Sequence, residues 1–96
     1  MKTFSECEKN ILILLLREKK LYLTQISQKL KMTYSHVVKI INRFKFMKIV
    51  SLVETKRRRE RVYVLTDLGK KISMEVMNIN NIEERINNLI NAHSTG

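Results

Sequence analysis

Apolar positions recur along this chain with several spacings, and each spacing predicts a different kind of element. Over residues 1–20 they fall first at Phe4, Cys7 and Ile11 with helical spacing, then run unbroken from Ile11 to Leu16. Ser5 followed by Glu8 fits a capping box, and Thr3 with Glu6 offers a second register, so a first helix with its body at about 5–20 is predicted. The unbroken run covers this helix on every side, so it must be buried on more than one side. One side is expected to meet the chain's own core and the other a second subunit.

Leu21-Tyr22-Leu23 reads as a short extended segment. Thr24 then caps a short helix over 25–31, with Ile26 and Leu30 turned inward. Lys31-Met32 makes a turn, and Thr33 or Ser35 caps a longer helix over 33–47. There Val37, Ile40, Ile41 and Phe44 stand at i, i+3, i+4 and i+7, which defines a buried face. Two helices joined by a tight turn form a helix-turn-helix. The segments Ile49–Glu54 and Arg61–Leu65 have β-type composition, and Val62 and Val64 alternate with Tyr63 and Leu65 as in a two-faced hairpin strand. Thr66 suits an N-cap and Asp67 a first helical turn, so a last helix is predicted from Asp67 to about Ala92. Its stripe is Leu68, Ile72, Val76, Ile79, Ile82, Ile86 and Leu89, with Met77 and Ile90 beside it. From Ile72 the steps average about 3.4, nearer the 3.5 of a coiled-coil seam than 3.6. The distal half of this helix is expected to pack against its counterpart in a partner.

Charge changes this picture from a generic small fold to a specific kind of surface. The net charge is +10, and it is uneven. Residues 39–71 carry a balance of +8, residues 1–38 a balance of +4, and residues 72–96 a balance of −2. An excess of this size points to a polyanionic partner. It centres on the second helix of the helix-turn-helix and on the connection between the two strands. The face opposite Val37–Phe44 presents Tyr34, Ser35, His36, Lys39, Asn42 and Arg43. Tyr, Ser and His side chains hydrogen-bond to base edges or phosphates, and Lys39 and Arg43 suit guanine or phosphate. The connection, residues 55–60, holds Lys56, Arg57, Arg58 and Arg59 and is followed by Arg61. Closely spaced arginines on a hairpin connection suit a minor groove or flanking phosphates.

Other classes lose support. The 96 residues are expected to form one domain. A lone cysteine, Cys7, rules out an internal disulfide and a cysteine-based zinc cluster, and His36 and His93 are too few for a metal site. The expected compartment is the cytoplasm, on the nucleoid. No apolar run approaches the ~18 residues of a membrane span, and Ile11–Leu16 follows acidic residues and does not read as a signal peptide. No glycine-rich phosphate loop, no nucleophile beside a base and no carboxylate pair in a basic cleft is visible, so no catalytic residue, cofactor or enzymatic role is expected.

The residues 23–50, LTQISQKLKMTYSHVVKIINRFKFMKIV, and 57–69, RRRERVYVLTDLG, resemble the winged-helix domain of MarR-type transcriptional regulators. The likeness covers roughly residues 23–72, and its most specific part is the run from Leu65 to Gly69. It implies a mainly α fold with a small β-hairpin, an α+β winged helix-turn-helix. The order is helix, strand, helix, helix, strand, wing, strand and a long C-terminal dimerisation helix. It implies that Tyr34, Ser35, His36, Lys39 and Arg43 contact double-stranded DNA and that Arg58 is the wing-tip arginine. Two departures stand out. Lys48 occupies the position where members carry glycine, and Arg57 stands where an acidic residue precedes the wing-tip arginine. The helices that shape a ligand pocket in longer members are largely absent, so a small-molecule effector is not expected. Short archaeal and viral winged-helix proteins with one long C-terminal helix are the nearer comparison.

The expected partners are therefore duplex DNA and a second copy of the chain. The DNA contacts are expected at Thr33, Tyr34, Ser35, His36, Lys39, Arg43, Lys56, Arg57, Arg58, Arg59 and Arg61. The dimer contacts are expected at Phe4, Cys7, Ile11, Leu14, Leu15, Val76, Ile79, Ile82, Ile86, Leu89 and Ile90, with a domain core at about 21–72. Three alternatives use the same residues: a sequence-tolerant chromatin protein, an RNA-binding or protein-adaptor winged helix, and a redox sensor acting through Cys7.

Overall fold

The computed structural model describes residues 4–53 and 61–94. Its elements are α1 (Glu6–Glu18), β1 (Lys20–Tyr22), α2 (Leu23–Leu30), α3 (Tyr34–Phe46), β2 (Val50–Val53), β3 (Val62–Leu65) and α4 (Asp67–Ser94). The order and the mainly helical character are those expected from the sequence. The strands form one antiparallel sheet in the order β1-β3-β2. Tyr63 of β3 stands opposite Leu21 of β1 on one side and Leu52 of β2 on the other.

The helix starts follow local chemistry. Glu8 N donates to Ser5 Oγ at 3.2 Å and Ser5 N donates to Glu8 Oε1 at 3.0 Å, a reciprocal capping box. Thr3, the other candidate start, lies outside the described residues. α1 stops at Glu18, earlier than expected, because Lys19 turns to φ 67° and Lys20 enters the sheet opposite Val64. α2 begins at Leu23 instead of Gln25. Thr24 is not its cap: Gln25 reaches back and its Oε1 accepts from Tyr22 N at 2.9 Å, closing the first turn one step earlier. β2 begins at Val50, because Ile49 is held in the preceding turn by donating to Phe44 O at 2.8 Å.

The core lies where α1, α2, α3, the sheet and the first half of α4 meet. Ile11, Leu12, Leu15, Ile26, Val37, Ile41, Phe44 and Ile49 are fully buried. Phe4 meets Phe44 edge to face, with ring centroids 5.9 Å apart. This overturns the division of labour expected for α1. Phe4, Ile11, Leu15 and Val76 were expected to face a second subunit, but all four are buried within the chain's own core. Cys7 and Leu14 are half-buried against that core. The physical reason is that α4 doubles back along α1 and covers its second side. The core therefore extends beyond residues 21–72.

α4 runs 28 residues, about 42 Å at 1.5 Å per residue, and the molecule measures 59 × 25 × 23 Å. Only its first half is anchored. Ser73 and Val76 are buried, whereas every residue from Asn81 to His93 is exposed. Leu68, expected on the apolar stripe, is instead half exposed in the first turn. Among the described residues no helix is long and apolar enough to cross a membrane.

Candidate nucleic-acid interface

The helix-turn-helix is built without glycine. α2 is capped by Lys31, which adopts the left-handed conformation (φ 53°, ψ 45°) that glycine commonly supplies at a helix end. The turn is then tied twice to Ser27: Met32 N donates to its carbonyl at 3.0 Å, and its hydroxyl donates to Met32 O at 2.6 Å. Thr33 is the N-cap of α3, accepting from His36 N at 3.3 Å. Its hydroxyl is thus engaged in starting the helix.

Val37, Ile40, Ile41 and Phe44 are buried, as their spacing predicted, and the other side of α3 is open. At about 100° per residue, Ser35, Lys39, Asn42 and Phe46 form a straight stripe directly opposite the buried face. Tyr34 and Lys45 flank it on one side, His36 and Arg43 on the other. All eight side chains are exposed. The structure thus brings Tyr34, Ser35, His36 and Lys39 onto one accessible surface, with Arg61 exposed just before β3.

Arg43 lies on that surface with its side chain about half exposed, and it also reaches inward. Its Nη1 donates to Glu8 Oε2 at 2.5 Å, and Glu8 is only 7% exposed. Glu8 was read from the sequence only as a capping residue, yet one oxygen closes the cap of α1 and the other holds α3. A carboxylate this buried requires a cationic partner, so Arg43 acts as a brace between the two helices. Phe46 is not among the contacts expected from the sequence, which are all polar; its spacing from Ser35, Lys39 and Asn42 is the sequence signal that places it on the same stripe.

The base of the wing is equally specific. Lys48, in the position where the resembled family carries glycine, has φ 63°, so the glycine-type turn is made here by lysine. Thr66 then locks the turn to α4. Its N–H donates to Ile49 O at 2.9 Å, its hydroxyl donates to Lys48 O at 2.6 Å, and the same oxygen accepts from Gly69 N at 3.1 Å as the cap of α4. Gly69 is required by the close approach: a Cβ there would stand 2.1 Å from Ile49 O. This explains why threonine and glycine occur three residues apart in the run from Leu65 to Gly69. Lys56, Arg57, Arg58 and Arg59 lie outside the described residues, between β2 and β3 in the chain.

No protein-family model matches this sequence, and no curated protein does. Solved structures do. The adhesin competence repressor AdcR of Streptococcus pyogenes superposes with a TM-score of 0.79 at 20% identity, over 92% of this chain and 66% of that one. ZitR of Lactococcus lactis gives 0.77 at 17% identity, over 99% of this chain and 64% of that one. This chain thus spans about two thirds of their length. AF1382 of Archaeoglobus fulgidus differs in both respects, with 30% identity, a TM-score of 0.76, and coverage of 85% of this chain and 92% of that one. The chain belongs to the family of AF1382, and its fold is that of the MarR-like winged-helix proteins.

Proposed function

We propose that this chain binds double-stranded DNA sequence-specifically, as a homodimeric winged-helix regulator of transcription. The observation that carries the reading is the open stripe of α3, bearing Ser35, Lys39 and Asn42 and flanked by Tyr34 and His36, on the second helix of a helix-turn-helix. The +8 balance of residues 39–71 supports a polyanionic partner for the same surface. AdcR, which shares the fold, is itself called a repressor. In this reading α3 enters a major groove, and Lys56–Arg59 with Arg61 engage the flanking minor groove and phosphates. The whole chain acts as one DNA-binding domain.

Pairing is assigned to α4. Ile79, Ile82, Ile86, Leu89 and Ile90 are each at least 49% exposed. They lie in the C-terminal quarter of the chain, where the charge balance is negative, −2 over residues 72–96. Two strongly cationic chains meet there with the least repulsion. Two α3 helices would then address successive major grooves of a pseudo-palindromic site.

Selection of binding sites from a random duplex library tests this reading. A reproducible motif with two-fold symmetry is expected, with affinity that falls steeply with salt. Arg58→Ala should weaken binding to all duplexes and lower the salt slope by about 1, whereas Lys39→Ala should change the preferred sequence. Binding without any motif would assign the chain to sequence-tolerant chromatin proteins. Preference for structured RNA at matched salt would overturn the DNA reading altogether.

A further inference from the structure

Phe46 is the most exposed large apolar side chain among the described residues, at 88%. One exposed hydrophobe is ordinary on a protein surface. The position of this one is not. Phe46 continues the stripe of Ser35, Lys39 and Asn42 at helical spacing, directly opposite the buried face of α3. It is bracketed by the exposed Lys45 and by Lys48, whose positive φ fixes the turn just beyond the helix. An exposed aromatic ring with lysines one residue before it and two residues after it, at the end of a polar stripe, suits a ligand that is apolar at one point and anionic around it.

We infer that Phe46 is a DNA-contacting specificity residue, packing its ring against a thymine 5-methyl group at the outer edge of each half-site, while Lys45 and Lys48 meet the adjacent phosphates. The inference rests on the proposed reading of α3 as the major-groove helix. Phe46 stands 11 residues beyond Ser35, roughly 16 Å along the axis. The major groove is ~8.5 Å deep and ~12 Å wide. A helix whose first turn reaches base edges therefore carries its twelfth and thirteenth residues toward the groove wall. There the exposed apolar groups are thymine methyls and deoxyribose carbons, and the nearest charges are phosphates. Of these, only the thymine methyl distinguishes one base pair from another, and a phenylalanine ring is one of the side chains suited to it. The contact adds sequence preference without a hydrogen bond, compensating in part for Arg43, whose guanidinium is tied to Glu8.

The test is methyl deletion. In the motif recovered from the random library, each thymine is replaced in turn by deoxyuridine, which removes only the 5-methyl group. Affinity is then measured for the unaltered chain and for Phe46→Ala. One thymine per half-site is expected at which the replacement weakens the unaltered chain about fourfold, the worth of one buried methyl. The same replacement should have no effect on Phe46→Ala, whose urea midpoint should be unchanged because the ring is exposed. Equal sensitivity of both proteins at every thymine, or equal affinity for the unmodified site, would overturn the inference while leaving the DNA reading intact. Failure of the unaltered chain to bind duplex DNA would overturn both. A fall in solution mass on Phe46→Ala with unchanged DNA binding would also overturn it, assigning the ring to contact between copies.

Discussion

Three lysines among the described residues hold positive φ angles, and they do not carry equal strain. Lys31 and Lys48 lie at φ 53° and 63°, and Lys31, with ψ 45°, is in the left-handed helical region. Lys19 combines φ 67° with ψ −45°, close to the rare γ-turn region that side chains with a Cβ seldom adopt. Such positions cost about 1–3 kcal/mol each and are held by their surroundings. At Lys19 the surroundings are the capping bond to Leu15 O at 3.0 Å and the sheet pairing that begins at Lys20. Lys19→Gly is therefore expected to stabilise the fold by about 1 kcal/mol, and Lys31→Gly by less, as read from urea midpoints. Ser73 presents the opposite opportunity. It is fully buried, and its hydroxyl finds no partner among the described residues. A buried, unpaired hydroxyl is a liability, so Ser73→Ala should raise stability by about 1 kcal/mol.

Between elements, the close approaches determine the geometry of the site. The turn from α3 into β2 touches the first turn of α4 backbone to backbone, through Ile49 O and Gly69. Thr66 adds bonds to Lys48 O and Ile49 O across the same junction. A methyl group at residue 69 would meet a carbonyl already engaged by two donors, and backbone cannot move aside as a side chain can. Gly69→Ala is expected to cost about 3 kcal/mol, the upper part of the range for overpacking, and to shift the denaturation midpoint accordingly. The same junction joins the start of β2 to the start of α4. On the far side of α3, the pair of Arg43 and Glu8 ties the helix to α1. The candidate recognition surface is thus held at both edges, by α4 through the wing base and by α1 through a buried carboxylate.

For the whole molecule the governing feature is the overhang of α4. A helix exposed on all sides over residues 81–93 gains nothing from the core of its own domain, and isolated helical segments of that length are marginal in water. A second copy is the simplest source of the missing packing. Light scattering is expected to give twice the 11.4 kDa chain mass at micromolar concentration. Ile82→Asp combined with Ile86→Asp should return the mass of one chain and reduce the helical circular dichroism signal. An unchanged mass would show that pairing uses another surface. In the proposed pairing α4 is expected to supply most of the contact, because Ile11 and Leu15 of α1 are buried in the chain's own core.

The sequence by itself determined the order of elements, the buried face of α3, and the capping box at Ser5 and Glu8. These are local matters: a 3.6-residue or two-residue period and a side chain reaching three residues away are written within one segment. It also determined where charge concentrates, and with it the candidate surface. Tertiary structure alone decided what required distant segments to meet. α1 is apolar on more than one side because α4 folds back on it within the same chain. Arg43 is a brace because Glu8, 35 residues earlier, is brought beneath it. Lysine serves at residue 48 because the junction of Ile49, Thr66 and Gly69 imposes the turn, and Phe46 stands exposed because no other element among the described residues packs over the end of α3. In each case the deciding partner lies far away in sequence, where no local period carries a sign of it.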